Sequence, residues 1–455
     1  MNIKQTLLLL CAVTIGATLH AAEKPDIVFI LADDLGYNDV GFAGGKEIKT
    51  PNLDKLAAGG TVLKQFYVQP VCSPTRASLM TGRYPMRYGL QVGVIRPWAN
   101  YGLPLEEQML PDALRSAGYS TTILGKWHLG SFDKAYAPTN RGFEHHYGHL
   151  FGAIDYFTHE RDGKLDWYRD GEVLKEKGYS THLIASEAER VIKAQPKNKP
   201  LFLYVPFNAV HAPHEVPESY KEPYKNLPEP RRTYAGMLAA LDEGVGKIVA
   251  AIDSTGRRKN TLFIFSSDNG GPAPGKVTDN TPFRAGKGTL YEGGVRVCAF
   301  VAWDGHIKAG TSVNEPLHMV DWYPTLSKLT HASVKQKLPL DGLDAWPTIA
   351  KGKRSPHDAI LFNSTPYNGA IRIGDWKLVL AGNHSEVDGE APDAKVGKKA
   401  GSKRMKADLL ELFNLRDDPS ETKNLADANP GKVKELRERY EVLAKQAATP
   451  KNLKE

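Results

Sequence analysis

KPDIVFILADDLGY, residues 24–37, sets an unbroken apolar run from Ile27 to Ala32 directly against two carboxylates, Asp33 and Asp34. A continuous run of that length predicts a strand covered on both faces, as in a parallel sheet. NTLFIFSSDNGG (260–271) repeats the pattern, with Leu262–Phe265 followed by Asp268 and Asn269. KPLFLYVPFNAVHAPH (199–214) carries His211 beyond a third run. YSTTILGKWHLG (119–130) carries Lys126 and His128 just past a fourth. Between them, PDALRSAGY (111–119), ASEAERVIKAQ (185–195) and TYAGMLAALDEGVGKIVAAIDSTG (233–256) carry apolar residues at helical spacing or end in helix stop signals. Strands alternating with helices predict an α/β fold, with a large, mixed, mostly parallel sheet flanked by helices. Ligands collect outside the carboxyl ends of such strands. Polar residues delivered there by four strands predict one site.

After LHMVDWYPTLSKLTHA (317–332), a further helix, the pattern changes. GAIRIGDWKLVL (369–380) reads as short strands. Residues 382–408, rich in Lys, Gly, Asp and Ala, read as an exposed loop, and 418–446 begin with turn signals and end as an amphipathic helix. The expected organisation is a leader over 1–22, a catalytic domain over 23–354 and a smaller C-terminal α+β subdomain over 355–455.

The chain has 455 residues, 41% hydrophobic and 24% charged, an ordinary globular composition. Its formal charge of +7 suits an anionic substrate or a solvated surface, and no nucleic-acid motif accompanies it. At the N-terminus, Lys4 precedes an apolar run over 7–19, and Ala21 and Ala22 offer a cleavage point. That run is short for a bilayer span and reads as a signal peptide. LLLCA around Cys11 lacks the small residues expected before a lipoprotein cysteine. The expectation is a periplasmic or secreted protein without membrane insertion. Removing the leader leaves Cys72 and Cys298, and a disulfide between them is open in an oxidising compartment. VRVCAFVAW (295–303) places Cys298 in a buried strand.

VCSPTRASLMTGRYP (71–85) surrounds the other cysteine. Ser73 is a candidate helix cap and Pro74 suits a first helical position, which puts Arg76 one turn in. A helix start there attracts an anion through its free N–H groups and dipole. Asp33 and Asp34 after a strand read by themselves as helix-capping residues, while together with Asp268 and Asn269 after another strand they are oxygen donors that suit a hard cation such as Ca²⁺ rather than zinc. GKGT (286–289) is no phosphate loop, because Gly288 follows the lysine and no G-x-x-x-x-G-K frame exists. HHYGH (145–149) has no completing zinc ligand and reads as pocket wall or structural histidines.

Cys-Ser-Pro-Thr-Arg over 72–76 closely resembles the Cys-x-Pro-x-Arg signature of type I sulfatases. The likeness extends to ADDLGY, GKWHLG, SDNGG, TPFRAGKGTLYEGGVRV and LFNLRDDPSETKNLA, and so spans nearly the whole mature chain. It implies an alkaline-phosphatase-like fold and oxidation of Cys72 to formylglycine by a formylglycine-generating or anaerobic maturation enzyme. It also implies Ca²⁺ held by Asp33, Asp34, Asp268 and Asn269 beside residue 72. Arg76, Lys126, His128, His211 and Lys287 match catalytic positions. The hydrated aldehyde would attack sulfur, activated by the metal and Asp268, with His211, assisted by Lys287, donating a proton to the departing alcohol. His128 would then take the second hydroxyl's proton as sulfate leaves, and Arg76 and Lys126 would brace the hydrate.

YGLQVGVIRPWANYGL (88–103) and FGAIDYFTHERDG (151–163) are similar to the arylsulfatase B branch, which includes N-acetylgalactosamine-4-sulfatase and bacterial polysaccharide sulfatases. The implied substrate is a sulfated oligo- or polysaccharide, with the 4-sulfate of galactose or N-acetylgalactosamine favoured. Arg96, Trp98, His149, Asp155 and His214 are candidate sugar contacts. A phosphodiesterase or phosphonate monoester hydrolase of the same superfamily, and a catalytically silent glycan-binding protein, are the alternatives.

Overall fold

A computed structural model describes residues 24–362, 364, 369–380 and 410–454. The leader expected over 1–22 and the loop expected over 382–408 lie outside the described residues. The main sheet has ten strands: β1 (Asp26–Ala32), β2 (Thr61–Leu63), β3 (Ser120–Lys126), β4 (His145–His149), β5 (Tyr168–Arg169), β6 (Glu172–Val173), β7 (Leu201–Pro206), β8 (Thr261–Ser267), β9 (Ala299–Ala302) and β10 (Thr311–Val313). Their spatial order is β10-β2-β9-β8-β1-β7-β3-β4-β5-β6. The run β8-β1-β7-β3-β4 is parallel, while β9 and β5 join its two sides antiparallel.

The unbroken apolar character of β1 follows from its central place. Every one of its residues is buried, with Val28 paired to Leu203 on one side and Phe263 on the other. Successive side chains point to opposite faces, so each face needs its own cover. Val28, Ile30 and Ala32 join a core containing Leu53 and Leu56 of helix α1 (Pro51–Ala58). Ile184 and Ala188, and Leu238 and Leu241, add to it from two helices, Ser180–Ala194 and Arg231–Ser254. Ile27, Phe29 and Leu31 join a second core built from Ala77 and Leu79 of α2 (Cys72–Thr81), Leu110 and Leu114 of α3 (Leu110–Ser116), and Trp322 and Leu326.

A four-stranded antiparallel sheet follows: Ile360–Phe362, Gly369–Ile373, Trp376–Leu380 and Leu410–Asn414. The helix Pro430–Ala444 packs Leu436 and Tyr440 against Leu361, Ile371, Leu378 and Leu412 of that sheet. Polar contacts join this unit to the main one. Lys377 Nζ is 2.9 Å from Glu292 Oε1 and 2.9 Å from Glu421 Oε1, and all three side chains are buried. Glu421 Oε2 accepts from the Glu292 backbone N–H (2.6 Å), and Tyr67 donates to Glu292 Oε2 (2.7 Å).

Two carboxylates thus share one buried ammonium. Burial and the neighbouring Glu292 charge push Glu421 up to about 7 despite Lys377. The folded protein therefore holds a proton that the unfolded chain releases above the usual glutamate value of about 4.3. Stability attributable to Glu421 is complete below that value and is lost as pH rises through about 7. Urea unfolding between pH 4.5 and 7.5 should show a shallower decline in Glu421→Gln than in the parent. Lys377→Met, which removes the ammonium shared by Glu292 and Glu421, should cost about 3–5 kcal/mol in the same assay. A loss below about 1 kcal/mol would show that the ammonium does not hold the two units together.

Candidate active site

The parallel strands deliver their carboxyl ends to one place. Asp33 and Asp34 follow β1, Asp268 and Asn269 follow β8, His211 lies beyond β7, and Lys126 ends β3 with His128 two residues on. A fifth strand, β4, ends there with His149 paired to Lys126 in register. Helix α2 enters from the side and starts at Cys72 itself, earlier than expected. Ser73 makes no cap, and the capping position is Val71, without a side-chain bond. Ser73 instead donates to the His128 carbonyl (3.0 Å) and accepts from the Ile95 N–H (3.1 Å), because its position inside the first turn points it at the neighbouring loops.

The charges interlock. Lys126 Nζ donates to Asp33 Oδ2 at 2.7 Å. Arg76 donates through Nε (3.1 Å) and Nη2 (2.8 Å) to Asp268 Oδ2, and its Nη1 reaches the Lys126 carbonyl (3.0 Å). Lys287 Nζ donates to Asp34 Oδ2 (3.0 Å) and lies 3.1 Å from His211 Nε2. The other ring nitrogen of His211 donates to the Ala212 carbonyl at 2.5 Å. Cys72 Sγ is 3.7 Å from Asp33 Oδ1. Three carboxylates, Asp33, Asp34 and Asp268, thus face three cations, Arg76, Lys126 and Lys287, with almost no solvent access.

Burial pushes the Asp33 carboxyl up, but Lys126, His211, Arg76 and Lys287 together hold it well below the usual range. Asp268 goes the other way, to about 6, through burial and the Asp33 charge, against Arg76 and Lys126. Burial and Asp268 push the Cys72 thiol well up. Burial and Lys287 press His211 down while Asp34 and Asp33 press it up, and the carboxylates win.

A metal ion could be held here. Ligand atoms of Asp33, Asp34, Cys72 and His211 lie within 4.8 Å of one another, the one such group among the described residues, and HHYGH belongs to none. Asn269 donates to Asp34 Oδ1 (2.7 Å), leaving its own buried Oδ1 without a hydrogen-bond partner among the described residues. An orphaned amide oxygen beside three carboxylates fits a hard cation. Two site residues, Asp34 (φ 61°) and His128 (φ 58°), sit in the left-handed region that side chains rarely adopt. Gly270 is obligatory for close approach, since a Cβ there would lie 1.7 Å from the Gly293 carbonyl oxygen.

The sugar-contact candidates divide. His149 is fully buried, bonded to the Phe151 carbonyl (3.0 Å), and held neutral by burial and by Lys126 and Arg76. Asp155 caps its own turn, accepting from the N–H groups of Phe157 (2.8 Å) and Thr158 (2.7 Å). His214 packs edge-on to Tyr234. Arg96 is half-buried, and Trp98 is 70% exposed. Sequence reasoning missed Tyr156, whose hydroxyl lies 2.6 Å from the Asn208 carbonyl and 2.8 Å from that of His211. It also missed Tyr234, which donates to Asp39 (2.7 Å) and accepts from the Gly36 N–H (3.2 Å), bracing the turn after Asp34. Neither tyrosine carries a local signal, because both act through partners remote in sequence.

A large, mostly parallel sheet with a buried carboxylate cluster at its carboxyl edge defines an alkaline-phosphatase-like hydrolase. The family model described as Sulfatase matches residues 25–332. Arylsulfatase J of Mus musculus is 39% identical over 93% of this chain and 76% of its own length. Arylsulfatase A of Homo sapiens is 33% identical over 93% of this chain and 87% of its own. The crystal structure of Ps i-CgsB in complex with k-i-k-neocarrahexaose superposes with a TM-score of 0.82 at 34% identity, covering 94% of each chain. The chain belongs to the sulfatase family and is a sulfuric ester hydrolase.

Arg76 is the buried counter-charge of two carboxylates. Arg76→Met should lower unfolding free energy at neutral pH by about 3–5 kcal/mol, because it leaves Asp268 and Asp33 buried without their shared guanidinium. Chemical denaturation measures this. A change under about 1 kcal/mol would show that Lys126 and Lys287 suffice alone.

Proposed function

We propose that the protein hydrolyses sulfate esters of a galactose-type glycan, using residue 72 as nucleophile after conversion of its cysteine to formylglycine. The observation that carries this reading is the seat of Cys72: the first residue of a ten-residue helix, buried, with its Sγ beside Asp33 and three cations within one polar cluster. A buried thiol pushed to a high pKa is a poor nucleophile as it stands. A hydrated aldehyde there supplies one hydroxyl to attack sulfur and a second whose deprotonation allows release.

The chain's own residues serve the rest. Asp33, Asp34, Asp268 and Asn269 would hold Ca²⁺, preferred to a set containing His211 because calcium favours oxygen donors. The ion would supply Lewis-acid stabilisation of charge on the sulfate oxygens. Arg76 and Lys126 fix Asp33 and Asp268 and add positive field where negative charge develops. His211 sits with Nε2 toward Lys287 and Asp34 and would hand a proton to the departing alcohol oxygen. His128, anchored through Nε2 on the Ile95 carbonyl (2.9 Å), would accept a proton from residue 72.

The branch resemblance supports a 4-sulfate on galactose or N-acetylgalactosamine. A structural neighbour bound to a neocarrahexaose, an oligosaccharide of a sulfated galactan, supports the same sugar class. Relatives named N-acetylgalactosamine-6-sulfatase make the 6-position the competing reading. An axial 4-sulfate leaves the ring plane, so seating an equatorial or exocyclic one reorients the sugar. Each polar partner then left unpaired costs about 1–3 kcal/mol, and one or two such losses give roughly a ten- to thousand-fold preference. The leader expected at residues 1–22 supports a periplasmic or secreted location.

Three measurements test this. Mass spectrometry of the peptide containing residue 72 should show an aldehyde or its hydrate, and Cys72→Ala should lose multiple turnover. Calcium at a hundredfold its Kd should stabilise the protein by about 2.7 kcal/mol, an effect lost in Asp34→Asn. Matched 4- and 6-sulfated oligosaccharides, read by NMR, should show faster loss of the 4-sulfate. Faster 6-desulfation would overturn the substrate position alone.

A further inference from the structure

Two short turns flank the candidate site, and each raises an aromatic ring into solvent. The first is Arg96–Ala99, closed by the Ala99 N–H on the Arg96 carbonyl (3.0 Å), with Pro97 and Trp98 at its tip. Its root, Ile95, is tied into the site both ways, N–H to Ser73 Oγ and carbonyl to His128 Nε2. The second is Asp155–Thr158, closed on the Asp155 carboxylate, with Tyr156 and Phe157 at its tip. Tyr156 roots it on the His211 carbonyl. Each turn is therefore anchored to one of two site histidines, the first to His128 and the second to His211.

The tips are unusual surface. Trp98 is 70% exposed and Phe157 44% exposed, the latter backed by the Tyr179 ring at 5.3 Å. Scattered apolar residues on a surface need no explanation. A pair rooted on two site histidines, at the carboxyl edge where ligands enter, does. Aromatic rings combine large contact area with little rotamer entropy, which suits them to stack on the C–H faces of pyranose rings. Beside Trp98, the half-buried Arg96 guanidinium makes no hydrogen bond or ion pair among the described residues. A planar cation of that kind pairs bidentately with an oxyanion.

We propose that these turns form an accessory subsite for the sugar units next to the one being desulfated. Trp98 and Phe157 stack on flanking rings, and Arg96 pairs with a sulfate on the adjacent unit. The enzyme is then selective for multiply sulfated oligosaccharide over isolated sulfate esters. This rests on the sulfated-glycan reading above and names the part of the chain beyond the scissile sugar.

The test compares kcat/KM for a disulfated neocarratetraose with that for 4-nitrophenyl sulfate on the same enzyme sample, so that any misfolded fraction cancels. Trp98→Ala and Phe157→Ala should each lower this ratio at least tenfold. Arg96→Gln should erase the preference for the disulfated over the monosulfated tetrasaccharide. Unchanged ratios would overturn the proposal. Calorimetric titration of the tetrasaccharide into Cys72→Ser, with and without Trp98→Ala, reads the subsite without turnover. A tenfold weaker Kd upholds the subsite even if the parent enzyme releases no sulfate, in which case the hydrolytic reading alone fails. An equal Kd overturns it.

Discussion

The Asp33 carboxylate is the charge around which the molecule is arranged. It is fully buried, with Lys126 Nζ at 2.7 Å and Arg76 Nη2 at 3.5 Å. A lone carboxylate in that position would be strongly disfavoured, and only close counter-charges with further hydrogen bonds make it tolerable. Its partners come from different elements: Lys126 from the end of β3, Arg76 from α2, and Asp268, which shares Arg76, from beyond β8. None of these pairings exists unless β8, β1, β7 and β3 lie side by side in that order. The site therefore depends on the sheet, and the sheet's carboxyl edge is stable because the site's charges cancel.

That balance also explains the chemistry. Three anions and three cations leave a balanced cluster, so a divalent cation held there would bring surplus positive charge, matched to an anionic ester. Binding of the anion would then restore balance in a region from which water is excluded, where electrostatic interactions are strong. The left-handed backbones at Asp34 and His128 fit the same logic. Such conformations persist where surrounding contacts over-determine them. Here the supporting contacts are the Tyr234 hydroxyl on the Gly36 N–H, the Ser267 hydroxyl on the Leu35 N–H (3.1 Å), and Ser73 on the His128 carbonyl.

The C-terminal sheet takes part in the site without lining it. Lys287 lies on a segment that both flanks hold. Arg284 donates to Glu411 (3.0 Å) and to the Glu421 carbonyl (3.2 Å), stacks over Tyr291 at 3.8 Å, and Tyr291 donates to Glu411. Just beyond, Glu292 is fixed by Lys377. The second unit thus clamps the segment that places Lys287 against Asp34 and His211.

Much of this was legible in the sequence, for a local physical reason. Buried parallel strands must be apolar on both faces, so the runs at 27–32, 201–205 and 262–265 announce themselves, and the residues after them are confined to one edge. The helices at 110–116, 180–194 and 231–254, and the strand hairpin at 369–380, follow from spacing and stop signals in the same way. What a single strand or motif cannot carry is partnership across the chain. That Arg76 serves Asp268 and that Ser73 ties two loops instead of capping a helix depend on contacts more than twenty residues apart, and that His149 is walled in while Trp98 stands in solvent depends on how the folded chain packs around each. Glu292, Lys377 and Glu421 read as ordinary surface charges in isolation, and only the tertiary structure, by burying them together, makes each one indispensable to the others.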